Sequence, residues 1–371
     1  MTMVEKLKQT SAILDDRFVT EKKFVSMRGI TAAARHQLSD SAWDYLWTGT
    51  GDETTLRRNT EKFDELLWEK RIFTGVSNPT TNTQFLDLDL SFPLFTAPFG
   101  QEATFHPDGH LAIARAVESM GVHQMVPVAA SYTLEEIAQQ SPAAVMYQMT
   151  LVGDENLALD MAQRAKDAGY RYIIATYSPI RQWRERLIEN RFTSRTTRDN
   201  VNFGPDASDP AGLQELIDFT EPRWTWQQAE SFMKKSPLPV IVKGIESAAD
   251  AIEAVKAGAV GLYVSNYGGR TIDRTLSTIE ILPEVRAAVG ADMSIVLDSG
   301  IRRGSDIAAA IALGADAVAI GRVTALGLAA DGEEGVRSAL QILREEFWQT
   351  LGHLGCSRVE ELGPHVFRKT F

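Results

Sequence analysis

The sequence predicts an α/β fold: a (β/α)8 barrel with an N-terminal helical segment and a long loop after the fourth strand. Three observations predict it. Eight short runs are apolar without polar alternation, most of them end in Gly, Ser or Asn, and a helical stretch follows each. Strands buried on both faces of a parallel sheet read this way. Eight alternating strand and helix units close into a barrel. A doubly wound open sheet is the rival, but it does not ordinarily need eight equivalent units.

Residues 1–85 read as a helical segment packed on the barrel. Within it "TAAARHQLSDSAWDYLWTG" keeps helical spacing of apolar residues until Thr48–Gly49. Residues 86–371 are the expected barrel. Its runs are Leu94–Gly100, Val122–Ala130, Ala144–Thr150, Tyr172–Ser178, Val240–Gly244, Gly261–Asn266, Ser294–Gly300 and Ala317–Arg322. Between the later runs, "SAADAIEAVKAGA" and "GSDIAAAIALGADA" are alanine-rich helices closed by Gly. Residues 190–224 are polar and rich in Asp, Thr, Arg and Pro, far too long for an ordinary connection. Such an excursion after a barrel strand is expected to control access to the active site. From Glu333 a last helix, "SALQILREEFWQTLGHLG", and an extended end close the chain.

The 371 residues are 44% hydrophobic, with a formal net charge of -11. That acidic balance argues against nucleic acid or an anionic membrane as the main partner. Cys356 is the only cysteine, which excludes an internal disulfide and a thiolate metal cage. The N-terminal stretch is charged and lacks an apolar signal core, and no apolar run is long enough to span a bilayer. The expected compartment is the cytoplasm, and no metal site is expected.

Barrel active sites gather at the C-terminal ends of the strands, with phosphate after strands seven and eight. Those loops are "LDSGIRRGSDI" and "IGRVTALG". Gly300, Gly304 and Gly321 leave backbone N–H groups bare, and Arg302 and Arg322 supply guanidiniums for a phosphate. The plainer alternative is two surface arginines in glycine turns. Lys243 ends the fifth run, where a lysine either snorkels to solvent or neutralises an anion in the barrel mouth. Asp298 and Arg270 end neighbouring runs, which favours the second.

The motifs "APFGQEATFHPDG", "YQMT", "VIVKGIESAADA", "VSNYGGRTID" and "LDSGIRRGSDIAAAIALGADAVAIGR" resemble, in order and spacing, the FMN-dependent 2-hydroxy acid oxidases. That family includes glycolate oxidase, lactate oxidase and lactate monooxygenase. The resemblance implies FMN as cofactor. It sets Lys243 against the flavin N1/O2 edge, Gln148 on the pyrimidine edge, the Ala97–Pro98–Phe99 backbone along the ring and Ser265 on the flavin. Asp298 is expected on the ribityl chain, with Gly300, Arg302, Gly321 and Arg322 at the phosphate. The family's threonine on the fourth strand falls at Ala175, which implies one lost flavin hydrogen bond. Tyr45, Arg184 and Arg270 match residues that bind the substrate carboxylate. By family analogy the protein is a homo-oligomer, a tetramer.

The catalytic pair departs from the family. Where the family carries a histidine base after Ser-Asn, this chain has Tyr267, and the aspartate that steadies it falls at Tyr177. The pocket tyrosine becomes Thr150 and the pocket tryptophan Ala129, which implies a roomier pocket. Tyrosine starts near pKa ~10 against ~6.5 for histidine, so as a base it needs its proton affinity lowered, by Arg270 and Lys243. The expected function is therefore an FMN-dependent oxidoreductase acting on a carboxylate-bearing small molecule bulkier than lactate, with altered acid/base chemistry. Alternatives are an amino-acid-derived or other substrate needing no histidine base, in oxidation or reduction, and a catalytically silent flavin-binding homologue. A flavin-free aldolase or isomerase using Lys243 as a Schiff-base amine is the least favoured.

Overall fold

The computed structural model describes residues 23–151, 153–177, 183–190, 201–203 and 224–368. Two three-residue strands, β1 (Thr83–Phe85) and β2 (Leu88–Leu90), form an antiparallel hairpin. Eight parallel strands then close a barrel: β3 (Leu94–Thr96), β4 (His123–Pro127), β5 (Ala144–Leu151), β6 (Tyr172–Tyr177), β7 (Val240–Ile245), β8 (Gly261–Val264), β9 (Ser294–Leu297) and β10 (Ala317–Ile320). Each pairs with its sequence neighbour, and β10 closes on β3. The eight runs of the sequence are these eight strands.

The barrel interior is filled by alternate residues such as Phe95, Met146, Ile174, Ile241, Tyr263 and Val296. Phe85, Leu88 and Leu90 of the hairpin join the same cluster. The Tyr172 hydroxyl, at the start of β6, donates to Asp87 Oδ1 at 2.5 Å, and His123 Nε2, at the start of β4, lies 3.1 Å from the Asp89 carbonyl. The hairpin therefore plugs the N-terminal end of the barrel and leaves the other end for a ligand. Strands this short carry no readable period, so the sequence did not announce them.

Where one N-terminal helix was expected there are two, α1 (Met27–Gln37) and α2 (Asp40–Trp47). Leu38 is extended, and the Ser39 side chain accepts from the Ala42 N–H at 3.3 Å, capping the second helix. A third, α3 (Thr54–Asp64), follows. Residues 66–82 of the segment expected to be helical hold no helix.

Around the barrel lie α4 (Gly109–Met120), α5 (Leu134–Gln140), α6 (Glu155–Asp167), α7 (Glu185–Glu189), α8 (Trp226–Lys235), α9 (Ala248–Ala257), α10 (Thr278–Val289) and α11 (Gly304–Ala312). The last, α12 (Arg322–Leu354), is interrupted at Asp331 and Gly332, whose backbone is not helical. It packs against α1 and α4. Ser178 and most of 190–224 lie outside the described residues. The piece Val201–Phe203 is a short 3-10 turn whose buried Asn202 accepts from the Leu134 N–H at 2.8 Å and donates to the Val128 carbonyl at 3.0 Å. That piece docks at the exit of β4. No helix among the described residues is long and apolar enough to cross a membrane.

Candidate active site

The turn after β8 is locked from both sides. Asn266 and Asn59, both buried, exchange amide hydrogen bonds at 2.7 and 2.9 Å. The Asn266 side chain also accepts from the Gly269 N–H at 3.1 Å, and the Gly269 carbonyl accepts from Thr50 N–H at 3.0 Å. These bonds hold Tyr267 at φ +57, a conformation costly for a residue with a Cβ. Its ring lies over Gly244, where a Cβ would collide with the Tyr267 hydroxyl. Gly300, at φ +119, is equally fixed: a Cβ there would collide with the Asn59 carbonyl and the Phe63 ring. This glycine thus has a packing reason, the close approach of α3, besides lying on the cavity wall.

A cavity of about 350 Å³ opens at the C-terminal end of the strands. Ala97, Pro98, Phe99, Gln148 and Thr150 line one side, with Gly300 and Gly321 on another. Arg184, Lys243, Arg270, Arg302 and Arg322 also line it, against one carboxylate, Asp298. In a chain of net charge -11 this is a concentrated positive patch. Among the described residues no carboxylate forms an ion pair with any of the four arginines.

Their hydrogen bonds go mostly to carbonyls. Arg270 Nη2 donates to Tyr45 O and Leu46 O at 2.8 and 2.7 Å, while its Nε is buried without a partner among the described residues. Arg184 donates to Tyr45 O at 2.6 Å and to the Thr48 hydroxyl at 3.0 Å. Both guanidiniums lie over the Tyr45 ring, 5.2 and 5.5 Å from its centroid. Arg322 donates to Leu46 O and Gly268 O, each at 3.0 Å. Arg302 lies 5.7 Å from the Trp47 ring centroid. Burial lowers the proton affinity of Arg322, and Arg270, Arg302 and Arg184 lower it further. Cations crowded in this way and left without carboxylates form a site built for an anion.

The helix ends divide the work. The N–H groups of Arg302 and Arg303, before α11, are taken by Asp306 Oδ2 at 2.8 and 2.9 Å. The start of α12 at Gly321 has no side-chain cap and lines the cavity. A helix N-terminus of this kind, beside Arg302 and Arg322, suits a phosphate.

Lys243 is buried. Its Nζ donates to the Ser265 hydroxyl at 2.6 Å and meets Asp298 Oδ2 at 3.4 Å. Burial lowers its proton affinity while Asp298 and Glu246 raise it. Ser265 does not line the cavity; its oxygen serves Lys243 and the Tyr267 N–H, the latter at 3.1 Å.

Several expected placements change. Tyr177 is 52% exposed and does not line the cavity; only its carbonyl is near, 3.4 Å from the Tyr267 hydroxyl. Along β6, Ile174 points into the barrel and Ala175 into the layer beneath the helices. Thr176 is therefore the inward residue at the cavity, where its hydroxyl accepts from Gln148 Nε2 at 3.0 Å. Ala175, expected at the flavin, packs away from the cavity, and Thr176 lines it instead. Ala129 does not line the cavity either: a Cβ on Gly100 would strike its carbonyl, so it backs that strand exit. Tyr267 is not drawn toward ionisation as a base would need. Burial, then Glu246 and Asp298, push its pKa well above that of an ordinary phenol.

Sequence reasoning also passed over Ser299 and Glu246. Ser299, at φ +72, accepts from the Gly268 N–H at 2.9 Å and donates to Asp298 Oδ1 at 2.7 Å. Glu246, in "VKGIES", is a carboxyl at a strand exit, and that position was its signal. Burial raises it to about 7, with Lys243 opposing. An unfolded glutamate ionises first, so this group's contribution is present below pH ~4.5 and declines as pH rises to about 7. Glu246→Gln is expected to gain stability relative to the parent between pH 5 and 8. Its partial exposure limits the gain to about 2 kcal/mol. Urea midpoints at both pH values check it.

A model of the FMN-dependent dehydrogenase family matches residues 34–369. Glycolate oxidase 3 of Arabidopsis thaliana is 35% identical over 337 residues, covering 89% of this chain and 92% of that protein. The 4-hydroxymandelate oxidase of Amycolatopsis orientalis is 35% identical over 345 residues, covering 91% and 96%. A crystal structure of mandelate oxidase with benzoyl-formic acid superposes with a TM-score of 0.83 at 34% identity, covering 92% of this chain and 99% of that one. The cation-lined mouth of an eight-stranded barrel and these matches lead to one conclusion: the chain belongs to the FMN-dependent dehydrogenase family and is an FMN-dependent oxidoreductase.

Proposed function

We propose that this enzyme oxidises a carboxylate-bearing small molecule bulkier than lactate without a histidine base. Tyr267 acts as a neutral hydrogen-bond donor at the reacting heteroatom. The observation that carries this reading is a phenol held well above its ordinary pKa on the cavity wall.

The residues present fit FMN. Arg302, Arg322 and the uncapped helix start at Gly321 suit its phosphate. Asp298 and Ser299 suit the ribityl hydroxyls, and Gln148 and Lys243 suit the polar edge of the ring. When bound, FMN supplies the two-electron acceptor for a hydride from the substrate carbon. Arg270 and Arg184, whose guanidiniums both lie over the Tyr45 ring, face the substrate carboxylate.

Loss of hydride from an alcohol carbon also requires the hydroxyl proton to leave, and a neutral phenol does not take it. Loss of hydride from a carbon bearing a neutral amine gives an iminium directly. A 2-amino acid or a related amine carboxylate therefore suits this wall better than a simple hydroxy acid. Thr150 leaves room where the family sequence has tyrosine, and one relative is an oxidase of 4-hydroxymandelate.

The test is an anaerobic visible spectrum before and after adding panels of 2-hydroxy and 2-amino acids. Bleaching by amine carboxylates above bleaching by hydroxy acids, with Tyr267→His reversing that order, is the expected result. Fast bleaching by hydroxy acids in the parent protein overturns the amine reading. No bleaching by any member, in either protein, favours a silent flavin-binding homologue.

A further inference from the structure

Lys243 Nζ lies 4.5 Å from the ring centroid of Tyr263 and 4.5 Å from that of Tyr267. Three alternate residues of one segment, Tyr263, Ser265 and Tyr267, thus surround a single ammonium, the serine accepting its hydrogen bond at 2.6 Å. Tyr263 sits wholly buried in the barrel interior. Its hydroxyl approaches the Asp298 carboxylate, which with burial holds the phenol neutral, and its ring face meets Lys243. A buried ammonium tends to shed its proton, and an aromatic face opposes this most when water is excluded. Asp298 at 3.4 Å and Glu246 are the carboxyl groups that act with the rings.

We propose that Tyr263 and Tyr267 form a two-sided aromatic clamp that keeps Lys243 protonated and fixed in the cavity wall. Tyr263 is then a positioning residue for this cation, and Tyr267 serves through its ring as well as its hydroxyl. The consequence for the cofactor rests on the reading that Lys243 faces the flavin. A fixed positive charge there favours the reduced, anionic ring and raises the midpoint potential.

Two measurements test it. The first is the FMN midpoint potential of the loaded protein by anaerobic dye equilibration, for the parent, Lys243→Met, Tyr263→Phe and Tyr263→Leu. Lys243→Met is expected to lower the potential, Tyr263→Leu to lower it by a smaller amount, and Tyr263→Phe to match the parent. A potential unchanged in Tyr263→Leu but lowered in Lys243→Met overturns the clamp.

The second follows the 15Nζ resonance of Lys243 against pH, assigned by its loss in Lys243→Met. Tyr263→Leu is expected to bring deprotonation down by about one pH unit, a tenfold loss of proton affinity. An unchanged midpoint overturns the clamp. If Lys243→Met leaves the potential unaltered, the flavin-facing reading has failed, and the 15N titration still decides the clamp. Tyr267→Leu removes the ring at the cavity wall and is expected to shift the titration the same way, which keeps the test open should Tyr263→Leu not fold.

Discussion

Arg322→Met protein is expected to purify nearly free of flavin. Arg322 begins α12 at the cavity, where burial and three other arginines disfavour its charge, Asp298 offsets them only in part, and no carboxylate among the described residues pairs with it. Removing one partner of a buried, hydrogen-bonded charge pair costs about 2–5 kcal/mol, so the FMN dissociation constant should rise between about 30-fold and a few thousand-fold. Fluorescence titration of the apoprotein with FMN measures it. Arg322 also ties Leu46 O and Gly268 O, so a structural loss must be separated from a binding loss. Arg302→Met provides the separation. Among the described residues that side chain donates only to the adjacent Ile301 carbonyl, at 2.8 Å, and it lies over Trp47. It should weaken FMN with little change in thermal midpoint. Parent-like FMN affinity in both variants would refute the phosphate site.

Arg270→Met is expected to keep FMN and lose the substrate. Its Nη2 is anchored to two carbonyls, and the guanidinium lines the cavity, where no carboxylate among the described residues pairs with it. A planar cation at the cavity wall suits a carboxylate, which is the role proposed for Arg270. The dissociation constant of an unreactive carboxylate that perturbs the flavin spectrum should rise by about 10²- to 10³-fold. Arg270→Lys should recover only part of the loss, because an ammonium cannot reproduce the planar fork. Arg184→Met should have a smaller effect, since its Nε and Nη2 are already engaged by Thr48 and Tyr45. Equal binding in parent and Arg270→Met protein would remove Arg270 from the substrate site.

Tyr267 shows how sequence and structure share the explanation. By resemblance its place in "VSNYGGRTID" is that of a histidine base, and the chain alone left open whether Arg270 and Lys243 lower its proton affinity. In the fold, burial and the carboxyls Glu246 and Asp298 win, and the phenol stays neutral. Lys243 lies over the face of its ring, 4.5 Å from the centroid.

By itself the sequence determined the eight-stranded barrel, the end at which its cavity lies, and Gly300, Arg302, Gly321 and Arg322 of the lining, whereas the Gly304 N–H, expected bare, is taken by Glu346. Those features are local: apolar runs, turn residues and charges at strand exits keep their meaning wherever the chain goes. Tertiary structure alone decided which face of each strand looks inward. A strand buried on both faces has no polar alternation to fix its phase, so Thr176 rather than Ala175 reached the cavity, and Tyr177 turned away. The same holds for Tyr263, which reads as ordinary core in "GLYV" until closure of the barrel sets its ring against Lys243. Pairing with both neighbouring strands, and not any property of the residue, chose that face.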